Sequence, residues 1–237
     1  MLSPFSVIGF DHKTKSADLI TLDPGKFSAG VQAGTDRIDR SYYFTASPLF
    51  RAGVHKNVEL FYPLGISLAP VKKDNGSGLA FSSGVTGLQF TQNFIPVFTP
   101  SFIISGALRV SSTARLKFLT DYLFIINISN QPSPSFVRGA GALAIEIGPY
   151  LTFSFGISYQ SQVTSGYIPP TDTTGFYGVS RISIGSVKTA PYWYEPLFNI
   201  HAGEYIDIVA TCRFDINNDN KSNDLIMMGG LIINPGL

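Results

Sequence analysis

The chain has 237 residues, enough to bury a substantial core within one all-β domain. Its 17 Lys and Arg against 16 Asp and Glu give a net charge of +1, with no basic run at either end, which excludes packaging of nucleic acid as its main business. Only 14% of residues are charged, 13% are aromatic and the mean hydropathy is +0.18, so much of the surface is expected to be covered by sister subunits, other proteins or lipid.

In chain order, residues 1–40 read as an N-terminal arm and 41–237 as a single β-domain. The opening "MLSPFSVIGFDHKTKSADL" lacks the charged start and apolar run of a secretory signal, and no apolar stretch is long enough for a helical membrane span. The arm is rich in charges and carries Asp23-Pro24-Gly25 as a turn. Tyr42, Tyr43 and Phe44 follow its charged "DRIDR" segment and are expected to anchor it.

From there the chain alternates between apolar and polar residues with a period of two, punctuated by Gly, Pro, Asn and Asp. The pattern predicts strands near 41–53, 57–69, 79–92, 101–110, 116–129, 136–147, 151–162, 177–187, 204–216 and 224–234, with loops at 70–78, 130–135, 163–176, 188–203 and 217–223. In the second strand Val58, Leu60, Tyr62, Leu64, Ile66 and Leu68 alternate, which places Pro63 at an edge or bulge. The clearest hairpin is "LAIEIGPYLTFSFGISYQ": Leu143, Ile145 and Ile147 share a face with Leu151, Phe153, Phe155, Ile157 and Tyr159 across Gly148-Pro149. Both a soluble sandwich and a barrel in lipid select such a face, so the pattern leaves open what it touches. No fixed repeat is visible, against a propeller or solenoid.

Chemistry finds little foothold. The single cysteine, Cys212, shares a face with Ile206 and Ile208 and is expected to be a buried, inert thiol. His12, His55 and His201 fall in separate turns or loops with no metal-binding or catalytic spacing, and each is expected to be an exposed turn histidine. No Gly-x-Ser-x-Gly elbow or phosphate loop occurs, so no enzyme activity and no cofactor are expected. Asp215, Asn217 and Asp219 start a calcium-loop pattern, but Asn220 replaces the required Gly and Ile226 the closing Glu, which favours a solvated hairpin loop. Tyr192, Trp193 and Tyr194, with Phe198 nearby, form an aromatic cluster expected in a Pro-bounded loop, either plugging one end of a core or serving as an interface or sugar platform.

Two resemblances follow. "LFNIHAGEYIDIVATCRF", a polar loop and "LIMMGGLIINPGL" resemble the last two strands of single jelly-roll modules in viral capsid and spike proteins and in trimeric heads of the C1q/TNF type. In that likeness Gly203 turns the chain, Glu204 starts the strand in solvent, and Ile206 and Ile208 enter the core. "FRAGVHKNVELFYPLGISLA" and the final pair of strands resemble hairpins of medium-sized bacterial outer-membrane barrels. Against the barrel stand an alternation count that puts the tight turn at 148–149 among the long outer loops, strands apolar on both faces at 122–126 and 225–228, and an end without an aromatic residue.

The expectation is therefore an all-β, single jelly-roll-type antiparallel sandwich that assembles with itself and other structural proteins as a virion capsid or spike component, the arm tying neighbours together. The alternative is an outer-membrane β-barrel of ten to twelve strands acting as a channel, the only case in which a membrane is a partner. A carbohydrate- or receptor-binding head centred on Trp193 is a further alternative.

Overall fold

The computed structural model describes residues 21–38, 41–62, 64–90, 96–124, 126–127, 135–148, 150–164, 192–202, 205–215 and 225–233. They form β1 (Phe27–Ile38), β2 (Ser41–His55), β3 (Val58–Phe61), β4 (Leu64–Lys72), β5 (Gly78–Phe90), β6 (Pro96–Arg109), β7 (Ala114–Phe124), β8 (Ile126–Asn127), β9 (Ser135–Ile147), β10 (Leu151–Thr164), β11 (Tyr192–His201), β12 (Ile206–Asp215) and β13 (Leu225–Ile233). Every pairing is antiparallel between neighbours in the chain, and β1 also pairs with β13, with Ala29 opposite Ile233 and Arg37 opposite Leu225. β8 continues β7 in the same register along β6. The sheet thus closes on itself as a twelve-stranded barrel, and the expected sandwich is corrected to its alternative.

The side-chain alternation is that of a wall with lipid outside. On β7, Leu116, Phe118, Thr120 and Phe124 point out while Arg115, Lys117, Leu119, Asp121 and Leu123 point in and are buried. The hairpin of β9 and β10 forms as expected, Leu143 facing Phe155 and Ile147 facing Leu151 across the turn where Gly148 takes φ 62. Its apolar face is the outward one: Leu143, Ile145, Ile147, Phe155 and Ile157 are all exposed. The same holds for Ile66 and Leu68 on β4, Phe198 and Ile200 on β11, Ile206 and Ile208 on β12, and Leu231 and Ile233 on β13. An apolar belt running around a closed sheet is the surface that hydrocarbon selects. It also accounts for the low charge content without sister subunits.

Three sequence expectations change for identifiable reasons. Residues 27–38, assigned to the arm, form β1; its Gly, Ala and charged residues weaken the strand signal, and pairing on both sides supplies the order. The expected strand 57–69 is two strands, because the chain reverses between Phe61 and Leu64, where Tyr62 N–H donates to the Phe50 carbonyl at 2.9 Å. Pro63, expected at an edge or bulge, lies outside the described residues. With that strand added the alternation works: the strand ends before and after 56–57, 73–77, 110–113, 148–150 and 202–205 all lie at one end of the barrel, with the start of β1 and the end of β13. The strand ends before and after 39–40, 62–63, 91–95, 128–134, 165–191 and 216–224 lie at the other. We call these the turn end and the loop end. The expected strand 177–187 falls outside the described residues, and the expected loop 188–203 contains β11.

The interior is not uniformly polar. Ile103, Leu119 and Ala142 pack together on it, and Leu123 and Phe136 are also buried. That is why 122–126 looks apolar on both faces although one face meets the lumen.

Candidate functional site: the interior wall at the turn end

Strand alternation places one residue in two inside the barrel, and near the turn end those inward positions carry charge. On β2 and β3, which flank the tight link 56–57, Arg51 and Glu59 both point inward. Arg51 Nε lies 2.6 Å from Glu59 Oε1 and Nη2 2.8 Å from Oε2, a two-pronged pair between buried groups. Glu59 Oε2 also accepts the backbone N–H of Leu22 at 2.8 Å. Lys72 at the end of β4 donates to the Thr21 carbonyl and to Asp23 Oδ1, both at 2.8 Å. Thr21 and Leu22 are fully buried. The segment ahead of β1 is thus drawn against the interior wall and held by its charges.

The approach is close enough to require glycine. At Gly53 an added Cβ would lie 2.1 Å from the Asp23 carbonyl oxygen. Gly53 meanwhile exchanges backbone hydrogen bonds with the same stretch, donating to Lys26 and accepting from Gly25, each at 2.9 Å.

A second group spans β6 to β12. Arg109 Nη2 is 2.9 Å from Glu146 Oε2, and Arg115 Nη2 is 2.5 Å from Glu146 Oε1. Glu146 stands opposite Thr152 on β10, and Thr152 stands opposite the fully buried Asn199 on β11. Thr152 Oγ1 is 3.1 Å from His201 Nε2, and His201 Nδ1 is 2.6 Å from Asp207 Oδ1. This hydroxyl–imidazole–carboxylate order has the connectivity of a nucleophile relay. All three side chains are at most 5% exposed, however, which leaves no space for a substrate carbonyl beside Thr152. The arrangement acts as a clamp across β10, β11 and β12. Cations Arg51, Lys72, Arg109, Arg115 and Lys117 stand among anions Asp23, Glu59, Asp121, Glu146 and Asp207, so this half of the interior carries no large excess of either sign.

The sequence-expected residues lie elsewhere. Tyr192, Trp193, Tyr194 and Phe198 are on β11, not in a loop: Trp193 is opposite Ser158 and Asp215, and Tyr194 is opposite Ile157. The Tyr194 ring lies 4.7 Å from Phe155 and the Phe198 ring 4.9 Å from Phe153, aromatic contacts along one stretch of wall. Tyr42 and Tyr43 are on β2, opposite Arg37 and Asp36. Asp215 ends β12, while Asn217, Asp219 and His12 lie outside the described residues. Among the described residues no His, Cys, Asp and Glu side chains group so as to hold a metal ion. His55 is exposed at the end of β2, but His201 is buried in the clamp, contrary to expectation. Cys212 shares a face with Ile206 and Ile208 as expected, but that face is the outward one.

The polar interior residues were missed because the apolar half of each alternation was given all the weight. Arg115 and Lys117 beside Leu116 and Phe118, or Asn199 and His201 beside Phe198 and Ile200, are the pattern of a wall wet on one side.

No sequence family and no characterised relative matches this chain, and the likeness it has is one of fold. The NanC porin superposes with a TM-score of 0.50 over 86% of this chain and 98% of its own, at 10% identity. An outer membrane channel from Pseudomonas putida F1 superposes with a TM-score of 0.55 over 92% of this chain and 98% of its own, at 7% identity. The expected capsid or spike role and virion location are thereby overturned: the jelly-roll likeness of the C-terminal hairpin reflects only a pair of alternating strands, Ile206 and Ile208 face outward rather than into a core, and the fold is that of bacterial outer-membrane β-barrels.

Proposed function

We propose that this chain is an outer-membrane β-barrel of the channel class, a non-enzymatic protein that admits small molecules through the outer membrane of a bacterium. The observation that carries the reading is the apolar belt around a closed sheet whose inward positions at the turn end are charged. Outside, hydrocarbon rewards Leu116, Ile145, Ile157 and Ile208; inside, Arg115 pairs with Glu146 and His201 with Thr152 and Asp207. Strand separations are at most five residues at the end where β1 starts and β13 ends, whereas the three separations of more than five residues (128–134, 165–191 and 216–224) are all at the other end, beside the short 39–40 and 62–63, an asymmetry in keeping with outer-membrane barrels. The two solved structures of like fold are described as a porin and an outer membrane channel, which supports the same class.

The test is reconstitution. Purified chain refolded into phosphatidylcholine vesicles should float with the lipid, and the unheated sample should migrate differently from the boiled one on SDS gels. A chain that stays soluble as a defined assembly without detergent, and ignores vesicles, would refute the reading.

A further inference from the structure

A ring of twelve strands encloses more room than its own side chains can fill, since eight strands already give an interior that side chains just occupy. Yet each strand of this ring carries at least one buried inward residue. Many of these are short: Ala69, Ala80, Ala107 and Ala144 are at most 7% exposed. Long neighbours do not shield them from an open lumen, because Arg115 and Lys117 are themselves only 2% and 4% exposed. Chain must therefore lie inside the ring and keep water from its wall.

The stretch ahead of β1 enters that interior. Asp23, Pro24, Gly25 and Lys26 make a tight turn, in which Lys26 N–H donates to the Asp23 carbonyl at 3.0 Å and Gly25 takes φ 78. The turn sends the preceding residues back over the inner face of the wall. Asp23 passes over Gly53 on β2, Leu22 N–H reaches Glu59 on β3, and the Thr21 carbonyl reaches Lys72 on β4. Thr21 to Lys26 is thus a strap laid across three strands at the turn end, with its inner tip fully buried.

The contacts that tie the strap to β3 and β4 are polar. Glu59 accepts one N–H, and the Lys72 ammonium donates both to the Thr21 carbonyl and to Asp23 Oδ1, each at 2.8 Å. Water at the turn end reaches this latch, because the Asp23 side chain is 50% exposed and Pro24 and Gly25 are exposed beside it. The seat also leaves a need unmet. Among the described residues, Thr21 Oγ1 is buried without a hydrogen-bond partner, and it would gain water on leaving. Gly25 supplies a pivot, since no atom stands within 4 Å of the place its Cβ would take. We propose that the Thr21–Lys26 strap is an ion-latched gate: it holds the turn end shut at rest, and the channel opens when Lys72 and Glu59 let it go. This inference rests on the channel reading above and adds to it the state of the channel at rest.

The gate is tested by potassium release from phosphatidylcholine vesicles that hold the refolded Cys212→Ser chain, with flotation and heat-modifiable migration reporting insertion and folding. The parent should release little. Lys72→Met removes both donations and should raise the rate about tenfold. Asp23→Cys combined with Lys72→Cys in the same background should leak likewise. Bridging those two thiols with dibromobimane, whose fluorescence reports the double attachment, should return the rate to that of the parent. If one of the two variants does not fold, the other decides. A parent that already leaks as an open pore overturns the gate, and so do folded variants as tight as the parent. A bridged double variant that still leaks overturns it too, because the position of the strap then does not set permeability. A parent that neither floats with the vesicles nor shows heat-modifiable migration instead removes the outer-membrane reading itself.

Discussion

Arg51 and Glu59 are diagonal neighbours on β2 and β3 of the barrel's interior wall, and one oxygen of Glu59 serves both Arg51 Nη2 and the backbone N–H of Leu22, each at 2.8 Å. A single carboxylate thereby neutralises a buried guanidinium and fixes the segment that precedes β1. Removing it leaves a cation and a backbone donor without their acceptor. Glu59→Ala should cost about 3 kcal/mol, read as a lowered urea midpoint in refolded vesicles, whereas replacing Arg51 and Glu59 together by Met and Leu should cost much less. Equal losses in the two variants would refute this.

Gly53 tests the same anchorage from the backbone side. Gly53→Ala puts a methyl group 2.1 Å from the Asp23 carbonyl oxygen, so the Thr21–Asp23 segment must shift away from the wall. The expected cost is about 2 kcal/mol, as for overpacking elsewhere. In the folded barrel, trypsin cleavage after Lys26 should become faster in Gly53→Ala than in the native chain. Unchanged cleavage would mean that the segment is held independently of this contact.

On β10, Phe155 points outward near the middle of the belt and its neighbour Ser154 points inward. Phe155→Arg should destabilise the barrel by about 2–4 kcal/mol, the penalty of a cation on a lipid face at mid-depth. Ser154→Thr, which keeps a hydroxyl on the inner wall, should change stability by less than about 1 kcal/mol. Guanidinium titrations of the two variants in vesicles, folded fraction read from heat-modifiable migration, give the comparison. A tolerated Phe155→Arg would contradict the lipid-facing assignment of this strand.

Cys212 is the chain's one cysteine and lies on the outward face of β12. A nitroxide attached there should collide often with oxygen, which concentrates in hydrocarbon, and rarely with a water-soluble nickel chelate. The reverse order in reconstituted vesicles would place Cys212 in water.

The Thr152, His201 and Asp207 clamp should be cooperative, since His201 uses both ring nitrogens in it. Thr152→Val should cost about 1 kcal/mol and Asp207→Ala about 2–3 kcal/mol, and the double variant less than their sum. Additive losses in urea unfolding would show that the two contacts do not communicate through the imidazole.

The chain's alternation disclosed strands, and in the stretch from Leu143 to Tyr159 it disclosed a whole hairpin with its face and turn. It did not disclose the solvent, because period two is the same whether the apolar side meets a second sheet or lipid. Ile206, Ile208 and Cys212 were placed correctly relative to one another and on the wrong side of the wall. The missed turn between Phe61 and Leu64 mattered most: Tyr62 and Leu64 continue the apolar series through it, so nothing in the pattern breaks, and one lost strand reversed the apparent placement of every later link. The interior site was legible in part. Arg51 and Glu59 flank a tight link at inward parity, which sequence could have paired, whereas the approach of Leu22 to Glu59 or of Glu146 to Arg109 reaches across an intervening strand, which no local pattern encodes.

Pairing of β1 with β13 has a consequence for how the molecule is made. β1 and β13 must meet before the sheet loses its two open edges, so the ring cannot close until β13 has been made. Until then each growing intermediate presents greasy, half-bonded borders that invite clumping. Such a polypeptide depends on escorts that keep it apart from its siblings up to the moment of insertion.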